Sequence, residues 1–419
     1  MLADIFQPIQ PRARVDEVID RNRNQEKGRI ASLLPLRRER MSASAFSFCR
    51  GSAVMMADDL RQVPHSGRQV QLCGDAHLMN FGFYASPERT LLFDINDFDE
   101  TAPGPFEWDL KRLATSCVLA ARELGLAEDL QVDLVKALAK KYRKSMSVYA
   151  GMNRLDAWYS RIHAYDFIRG LDGSHFADYL KGVADKSLEN DTARAAQRIC
   201  VERDGRLRFN SDLSSLRDFS EGCEWIPSIA DGYLETLRPE MRHLLSSFHE
   251  VDSALKVVGV GSVGRRCCLV LLQGKRSSDV IILQVKEAVV SALQDVDSVP
   301  AAPVHQGKRV VEGQRLMQSA SDQFLGWGLL RDGHHCYWRQ FRDWKGSVRL
   351  EKMDFCCLVT YVELCAHALA KSHARTGDCV SIANALESTQ RLAGLLARYA
   401  LSEACQVELD FQAFLKAGM

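Results

Sequence analysis

The sequence predicts an α+β protein with two lobes, a larger helical one and a smaller one built on an antiparallel sheet. Three observations lead to this prediction. With 419 residues the chain can bury more than one core. Apolar residues recur at helical spacing over 26–62 and again from 354 to the end. Short β-prone runs that end in polar turns are concentrated in 69–100 and 251–345.

Composition limits the partners and the compartment of the protein. Lys+Arg and Asp+Glu both total 54, so no excess of either charge favours a nucleic acid or a membrane surface. The N-terminal stretch is charged and has no apolar signal core, and the apolar runs are far shorter than the roughly 18 residues of a membrane span. The 13 cysteines are scattered without a CxxC pair. We therefore expect a cytoplasmic protein with reduced thiols and with no nucleic-acid or membrane partner.

The glycines at positions 259, 261 and 264 form a GxGxxG motif, which occurs in two kinds of nucleotide site. In dinucleotide-binding folds these glycines open a helix, whereas in kinase-type folds they form a turn between two antiparallel strands that covers the ATP phosphates. Here the motif is followed by the β-prone run 267–272, which a Gly/Ser-rich turn ends. A helix does not fit into so short a run, so the sequence favours the kinase-type turn.

A kinase-type turn requires a lysine on the third strand, which holds the α- and β-phosphates, and a glutamate on the next helix that pairs with it. Lys286 in "LQVKEA" has this position, and the helical stretch 307–322 offers Glu312. Two β-prone runs and the polar segment 342–347, which suits a hinge, come next. The candidate nucleotide-binding residues are Gly259, Gly261, Ser262, Gly264, Lys286 and Glu312.

The stretch "CGDAHLMN" (73–80) resembles the catalytic loop of kinases and aminoglycoside kinases. Asp75 precedes Asn80 by five residues, the spacing at which an Asp takes the proton of the acceptor hydroxyl and an Asn binds Mg²⁺. Cys73 replaces the usual histidine, which leaves the orientation of Asp75 open. His77 is a second candidate catalytic residue, although a structural hydrogen bond explains it equally well.

A second polar loop, "NDFD" at 96–99, follows the β-prone run "RTLLFDI" and resembles the metal-binding DFG element of kinases. Asp97 is the predicted metal ligand, and Asp99 is a further candidate. The segment "PFEWDLKRL" comes next and predicts a helix, with Asp109 as the support of the catalytic loop. A single Asp is more often a turn or cap residue, but these elements come in order and at suitable spacing.

The order of the two halves differs from that of kinases. There the glycine loop and the lysine come first, whereas here Asp75 and Asp97 precede both. Each half keeps its internal order, so we interpret the chain as a circularly permuted, bilobal protein-kinase-like fold. The predicted units are a helical catalytic lobe (1–250, with the catalytic and metal loops at 71–100), a β nucleotide-binding lobe (251–345), and helices that return to the large lobe (346–419).

The same motifs carry a family resemblance. Together "CGDAHLMNFG", "FDINDFDETAPGPFEWDLKRLA", "VVGVGSVGRR", "LQVKEA" and "HARTGD" are similar to a large bacterial family labelled only as domain of unknown function 2252. The resemblance runs from about residue 30 to near the C-terminus. It implies no substrate or reaction, so the kinase-type interpretation depends on the residues themselves.

The predicted function is an ATP- and Mg²⁺-dependent phosphotransferase that acts on an unidentified small-molecule or protein acceptor. Asp75 would be the base, Asn80 and Asp97 the metal ligands, and Lys286 with the glycine loop the phosphate clamp. Three alternatives stay open: adenylyl transfer by the same residues, a metal-dependent phosphohydrolase, and a non-catalytic nucleotide-sensing pseudokinase. The phosphohydrolase leaves the glycine loop unexplained, and the intact polar residues argue against the pseudokinase.

Four other polar residues have less specific assignments. Arg50 is expected to pair with a carboxylate rather than to hold phosphate. His373, Arg375 and Asp378 in "SHARTGD" either approach the acceptor or belong to the end of a helix that Gly377 closes.

Overall fold

The computed structural model describes residues 2–418 except 61, 172, 191, 204–205, 211–212, 214–215, 218–227, 230–231, 258, 277, 296–304 and 390. It is a mixed α+β structure with 53% helix and 16% strand. The helices are α1 (Leu2–Ile5), α2 (Val15–Glu26), α3 (Leu34–Met41), α4 (Ala45–Gly51), α5 (Ala53–Leu60), α6 (Glu107–Glu123), α7 (Glu128–Ala150), α8 (Arg154–Tyr159), α9 (Ala164–Arg169), α10 (His175–Leu188), α11 (Thr192–Ile199), α12 (Pro239–Leu245), α13 (Gln306–Met317), α14 (Phe355–Thr376), α15 (Cys379–Ser388) and α16 (Leu392–Lys416).

The strands are β1 (Gln69–Leu72), β2 (Phe81–Ala85), β3 (Leu91–Ile95), β4 (Ala102–Pro105), β5 (Cys200–Arg203), β6 (Arg206–Phe209), β7 (Leu216–Arg217), β8 (His249–Lys256), β9 (Cys267–Gln273), β10 (Val280–Glu287), β11 (Gly326–Leu329) and β12 (His335–Gln340). The main sheet has the order β11-β12-β10-β9-β8-β7, and all of its neighbouring strands are antiparallel. This confirms the α+β class and the antiparallel sheet predicted for 251–345.

The helical core forms where α6 and α7 pack against α14 and α16. Residues 107–121 of α6 are all buried. The reason is that α4, α7 and α16 surround the helix. Polar residues on α6 are therefore held inside the protein, close to the loops that follow β1 and β3.

Helix α14 returns the C-terminal part of the chain to this core. Its Tyr361 hydroxyl donates to the carbonyl oxygen of Leu78 at 2.7 Å, and its Lys371 forms a buried ion pair with Asp94. By length and composition α14 could cross a membrane, yet 67% of its most apolar window is buried inside the protein. A core helix has the same composition. All cysteines in the described part of the chain are free thiols.

Two small two-stranded sheets bring the polar loops together. Strand β1 pairs with β4, and β2 pairs with β3, so the loop after β1 and the loop after β3 lie side by side. The amide of Asn96 donates to the carbonyl oxygen of Asn80 at 2.8 Å, which joins the two loops directly. The predicted catalytic and metal loops are therefore neighbours.

Segments from outside the range predicted for the main sheet (251–345) pack against it. Residues of α11, β5, β6 and β7 share an apolar cluster with one face of the sheet, including Ile199, Phe209 and Leu271. Leu33 belongs to a second cluster on the sheet. The described residues of α11, β5, β6 and β7 therefore pack with the sheet, although they precede the predicted boundary at residue 251. Strands β5 and β6 also lie within the range (1–250) that we predicted as the helical catalytic lobe.

Candidate functional site

A cleft of about 500 Å³ lies between the main sheet and the two polar loops. It is lined by most of the residues that the sequence singled out, although they come from parts of the chain that are far apart. These residues are Asp75, His77, Asn80, Asp97, Asp99, Gly259, Gly261, Ser262 and Lys286. Gly264 and Glu312 are not among the residues that line it.

Asp75 is held by an arginine of α6. The Nε atom of Arg112 donates to Asp75 Oδ1 at 2.9 Å, and its Nη2 atom lies 2.8 Å from the same oxygen. The other carboxylate oxygen of Asp75 is 3.6 Å from His77 Nε2. A charged, two-point contact fixes the carboxylate more firmly than a single neutral hydrogen bond would. Arg112 thus supplies the orientation that the replacement of histidine by Cys73 had left open.

Asp109 supports the backbone of the catalytic loop, as predicted. Its carboxylate accepts hydrogen bonds from the amides of Cys73 at 2.8 Å and Gly74 at 3.0 Å. His373 lies 3.3 Å from the same carboxylate and 2.7 Å from the hydroxyl of Tyr142. Both contacts of His373 are buried, so His373 has structural partners inside the protein and does not face the cleft.

Arg375 and Asp378 also have structural roles. Arg375 donates to the carbonyl oxygens of Leu316 and Gln318, and it lies 3.9 Å over the ring of Trp158. Asp378 caps α15 by accepting the amide of Ser381 at 3.0 Å. The structure therefore gives the "SHARTGD" segment the helix-end role and not the acceptor-binding one.

Lys286 and the metal loop form a compact charged cluster. The Nζ atom of Lys286 lies 2.5 Å from Asp99 Oδ2 and 3.4 Å from Asp97 Oδ1. The hydroxyl of Tyr337 donates to the other Asp99 oxygen at 2.6 Å. Burial alone would raise the pKa of Asp97, but the charges of Lys286 and Arg339 outweigh it and lower the pKa to about 2. Burial alone would lower the pKa of Lys286, and the two aspartates instead raise it.

The prediction that Glu312 pairs with Lys286 was wrong. Glu312 lies on the outer face of α13, 3.6 Å from Lys308 one helical turn away, and its side chain is 48% exposed. The inward face of α13 instead presents Arg309, which donates to the carbonyl oxygens of Asp99 and Thr101. The carboxylate that pairs with Lys286 is therefore that of Asp99 and not that of Glu312.

The glycine motif is a turn between β8 and β9, as the sequence favoured, and it is held by two arginines from the N-terminal part of the chain. Arg29 donates to the carbonyl oxygens of Gly261 at 2.8 Å and Val263 at 2.6 Å, and Arg40 donates to that of Gly259 at 2.6 Å. The amide of Ile30 donates to Gly264, whose φ of +84° favours glycine.

These contacts occupy the carbonyl side of the turn. The amides of residues 259–262 donate to no acceptor in the described part of the chain, and all four residues line the cleft. Successive free amides form a concave donor surface that suits phosphate. The glycine turn can therefore bind an anion in the cleft.

Arg50 does not form the predicted pair with a carboxylate in the described part of the chain. Among the described residues it forms no ion pair; its guanidinium lies 5.7 Å over the ring of Phe46, and its buried Nε atom has no acceptor. His77 packs edge-on against the same ring, and its buried Nδ1 atom also has no partner. Burial, opposed by Asp75 and assisted by Arg50, lowers the pKa of His77 to about 4. His77 is therefore neutral at pH 7.

Asp97 and Asn80 are the residues best able to hold Mg²⁺. The side chain of Asp97 is 37% exposed and carries one contact, to Lys286, whereas Asp99 is occupied by Lys286 and Tyr337. Asn80 uses its Nδ2 atom to donate to the Asp75 carbonyl at 2.6 Å, which leaves its Oδ1 atom for a cation. Mg²⁺ in phosphate-transfer sites needs only one or two such oxygens, because the nucleotide supplies others. The donor set fits this ion.

Sequence reasoning missed the arginines that organise the site. Arg112 comes three residues after Asp109 in "DLKRL". Residues at positions i and i+3 of a helix lie on the same face, and this spacing could have indicated that Arg112 lies near the loop that Asp109 supports. Arg29 and Arg40 carried no motif. Their role depends on α2 and α3 packing beside the glycine turn, about 220 residues later in the chain, and the sequence alone gives no sign of this contact.

One comparison with known proteins gives a match. A family model described as an uncharacterized protein conserved in bacteria (DUF2252) matches residues 29–417, so the chain belongs to this family. No curated protein and no solved structure matches the chain.

Proposed function

We propose that this member of the DUF2252 family is an ATP- and Mg²⁺-dependent phosphotransferase with a circularly permuted kinase-type site. The observation that carries the proposal is the shared cleft. Free amides of the glycine turn, the ammonium group of Lys286 and the carboxylates of Asp75 and Asp97 all border one space. Phosphoryl transfer needs these groups: donors for the phosphates, oxygen ligands for the metal and a base for the acceptor.

The order of elements supports the nucleotide-binding part of the proposal. The glycine turn connects β8 and β9, Lys286 lies on the next strand β10, and α13 precedes β11 and β12. This is the order that a kinase-type nucleotide lobe requires. Lys286 also lies directly opposite Cys267, the first residue after the turn in β9, so its side chain is close to the phosphate-binding amides.

The proposed step is an in-line transfer of the γ-phosphoryl group. The acceptor oxygen forms a bond to the γ-phosphorus while the bond to the β–γ bridging oxygen breaks, and that electron pair leaves with ADP. Asp75 accepts the acceptor proton, and Arg112 keeps its carboxylate in place. Mg²⁺ bound by Asp97 and Asn80 would offset the charge of the phosphates. Catalysis then depends mainly on positioning and on charge neutralisation.

The phosphohydrolase alternative has less support. Within the described ranges, no group of three or more His, Cys, Asp or Glu side chains could hold a metal ion by itself. His77 is the only histidine among the residues that line the cleft. Metal-dependent hydrolases build their sites from such side-chain clusters, whereas a kinase-type site shares its metal with the nucleotide.

The proposal is tested by identifying the product that the protein makes from ATP. The full-length protein is incubated with ATP, Mg²⁺ and a small-molecule extract as the source of acceptor, and nucleotides are separated by ion-exchange chromatography. We expect ADP to accumulate only with Mg²⁺, and Asp75→Asn to lower its formation at least 100-fold while ATP still binds. AMP with pyrophosphate would instead indicate adenylyl transfer. Bound ATP without any product would indicate the pseudokinase.

A further inference from the structure

Arg50 lies where the glycine turn and the catalytic loop approach each other. Its carbonyl oxygen is 3.1 Å from the position that a Cβ atom would take on Gly261, so the tip of the turn rests on the end of α4. From the opposite side, Arg112 donates to the carbonyl oxygen of Cys49 at 2.6 Å and pairs with Asp75. Both the turn and the proposed base are thus fixed relative to Arg50.

Arg50 forms no ion pair in the described part of the chain, although the charge of Asp75 acts on it. It lines the cleft and stacks over Phe46, while its Nε atom is buried without an acceptor. In the same cleft Lys286 pairs with two aspartates and Arg265 with Glu287, and Arg29 donates to the carbonyl oxygens of the glycine turn. A guanidinium that is partly buried in the cleft and has no ion-pair partner there suits an anion that the ligand supplies. A planar guanidinium matches phosphoryl oxygens especially well.

We propose that Arg50 is a catalytic arginine, supplied by the same chain, that contacts the phosphoryl group during its transfer. This inference rests on the proposed function. As the bond from the acceptor oxygen forms and the bond to ADP breaks, charge spreads over the three equatorial oxygens of the γ-phosphoryl group. Arg50 donates hydrogen bonds to these oxygens, between the amides of the glycine turn and Asp75. It stabilises the group in transit more than it stabilises bound ATP.

The test uses a mimic of the transferred group, so it needs no acceptor. ADP with Mg²⁺ is titrated calorimetrically into the full-length protein with and without aluminium fluoride, which forms a planar phosphoryl mimic beside ADP. The variants are Arg50→Gln and the charge-conserving Arg50→Lys, with Arg143→Gln on the exposed face of α7 as the matched control. Affinity for ADP and Mg²⁺ without fluoride also reports that each variant is folded.

In the wild type and in Arg143→Gln, fluoride is expected to tighten ADP binding by at least 10-fold. Arg50→Gln should bind ADP with unchanged affinity and lose most of this gain, a loss of about 10-fold to 100-fold that corresponds to a charge-assisted hydrogen bond. Arg50→Lys should keep part of it. An equal gain in Arg50→Gln, or no gain in a wild type that binds ADP, would overturn the assignment of Arg50. A wild type that binds no nucleotide would remove the proposed function itself.

Discussion

Lys286 Nζ and Asp99 Oδ2 are 2.5 Å apart, although 187 positions of the chain separate the two residues. This ion pair joins β10 of the main sheet to the loop that follows β3. The same ammonium group is 3.4 Å from Asp97, so it faces both acidic residues of that loop. In the proposed function, a bound metal ion would replace the lysine at Asp97, and the lysine would then be available to the phosphates.

Lys286→Met should weaken ATP binding in the presence of Mg²⁺. Loss of the ammonium group removes a charge-assisted contact to the phosphates, which corresponds to about 1 to 3 kcal/mol. Isothermal calorimetry measures this change, and Lys308→Met on the exposed side of α13 is the matched control. Equal ATP affinity in Lys286→Met and in the control would exclude Lys286 from the phosphate site.

Asp99→Asn and Glu312→Gln separate the two candidate partners of Lys286. Because Asp99 contacts the ammonium group and Glu312 contacts only Lys308 on the outer helix face, the first change should weaken ATP binding several-fold and the second should leave it unchanged. Both variants replace a carboxylate with an amide of similar size. A larger effect of Glu312→Gln in the same calorimetric titration would argue for a different arrangement of α13 in the bound state.

Arg29→Ala should loosen the glycine turn. We expect this change to lower the affinity for ATP through the backbone of the turn. Arg29 makes two hydrogen bonds to carbonyl oxygens of the turn, and their loss frees the amides that face the cleft to turn away. We expect an effect of about 1 kcal/mol, which is roughly fivefold in Kd. Arg40→Ala, which removes a single hydrogen bond to Gly259, should have a smaller effect. The reverse ranking would contradict this role of Arg29.

The neutral state of His77 makes stability depend on pH. Burial lowers its pKa to about 4, whereas the unfolded residue titrates near 6.5, so between these values the unfolded chain binds more protons. The free energy of unfolding should therefore fall as the pH decreases from 6.5 to 4, by at most about 1.4 kcal/mol per pH unit from this residue.

Denaturant titrations between pH 4.5 and 7 measure this dependence. His77→Gln should lessen it because glutamine does not titrate, whereas the exposed His243→Gln should leave it as in the wild type. Identical pH dependence in the wild type and in His77→Gln would mean that folding does not lower the pKa of His77.

Local motifs with a fixed spacing predicted several of the residues that meet in the cleft. Asp75, Asn80 and Asp97 are set by short loops at the ends of strands, and the glycine turn follows from a β-prone run too short for a helix. Asp109 could be assigned because the start of a helix next to a strand end allows a carboxylate to reach backbone amides. In each case, residues within a few positions of one another in the sequence determine where the side chain lies.

Features that depend on packing between distant segments were not predictable. The face of α13 that turns inward is decided by contacts of Arg309 with the metal loop, and hydrophobic spacing alone does not show this. We expected Arg50 to pair with a carboxylate. The sequence does not show which acidic residues lie near the end of α4 after folding, so the lack of such an ion pair among the described residues could not be predicted. The packing of the described residues of α11, β5, β6 and β7 with the sheet likewise depends on an apolar face of β9 and β10 that becomes visible only after folding.

The central claim is that two separated parts of the chain form one metal-dependent nucleotide site. The most direct test is calorimetric titration of ATP into the wild type and into Asp97→Ala, each with and without Mg²⁺. We expect the wild type to bind ATP much more tightly with Mg²⁺ and Asp97→Ala to lose this dependence, because the carboxylate that faces Lys286 also holds the metal. Absence of ATP binding by the wild type, or Mg²⁺-dependent binding that Asp97→Ala leaves unchanged, would contradict the claim.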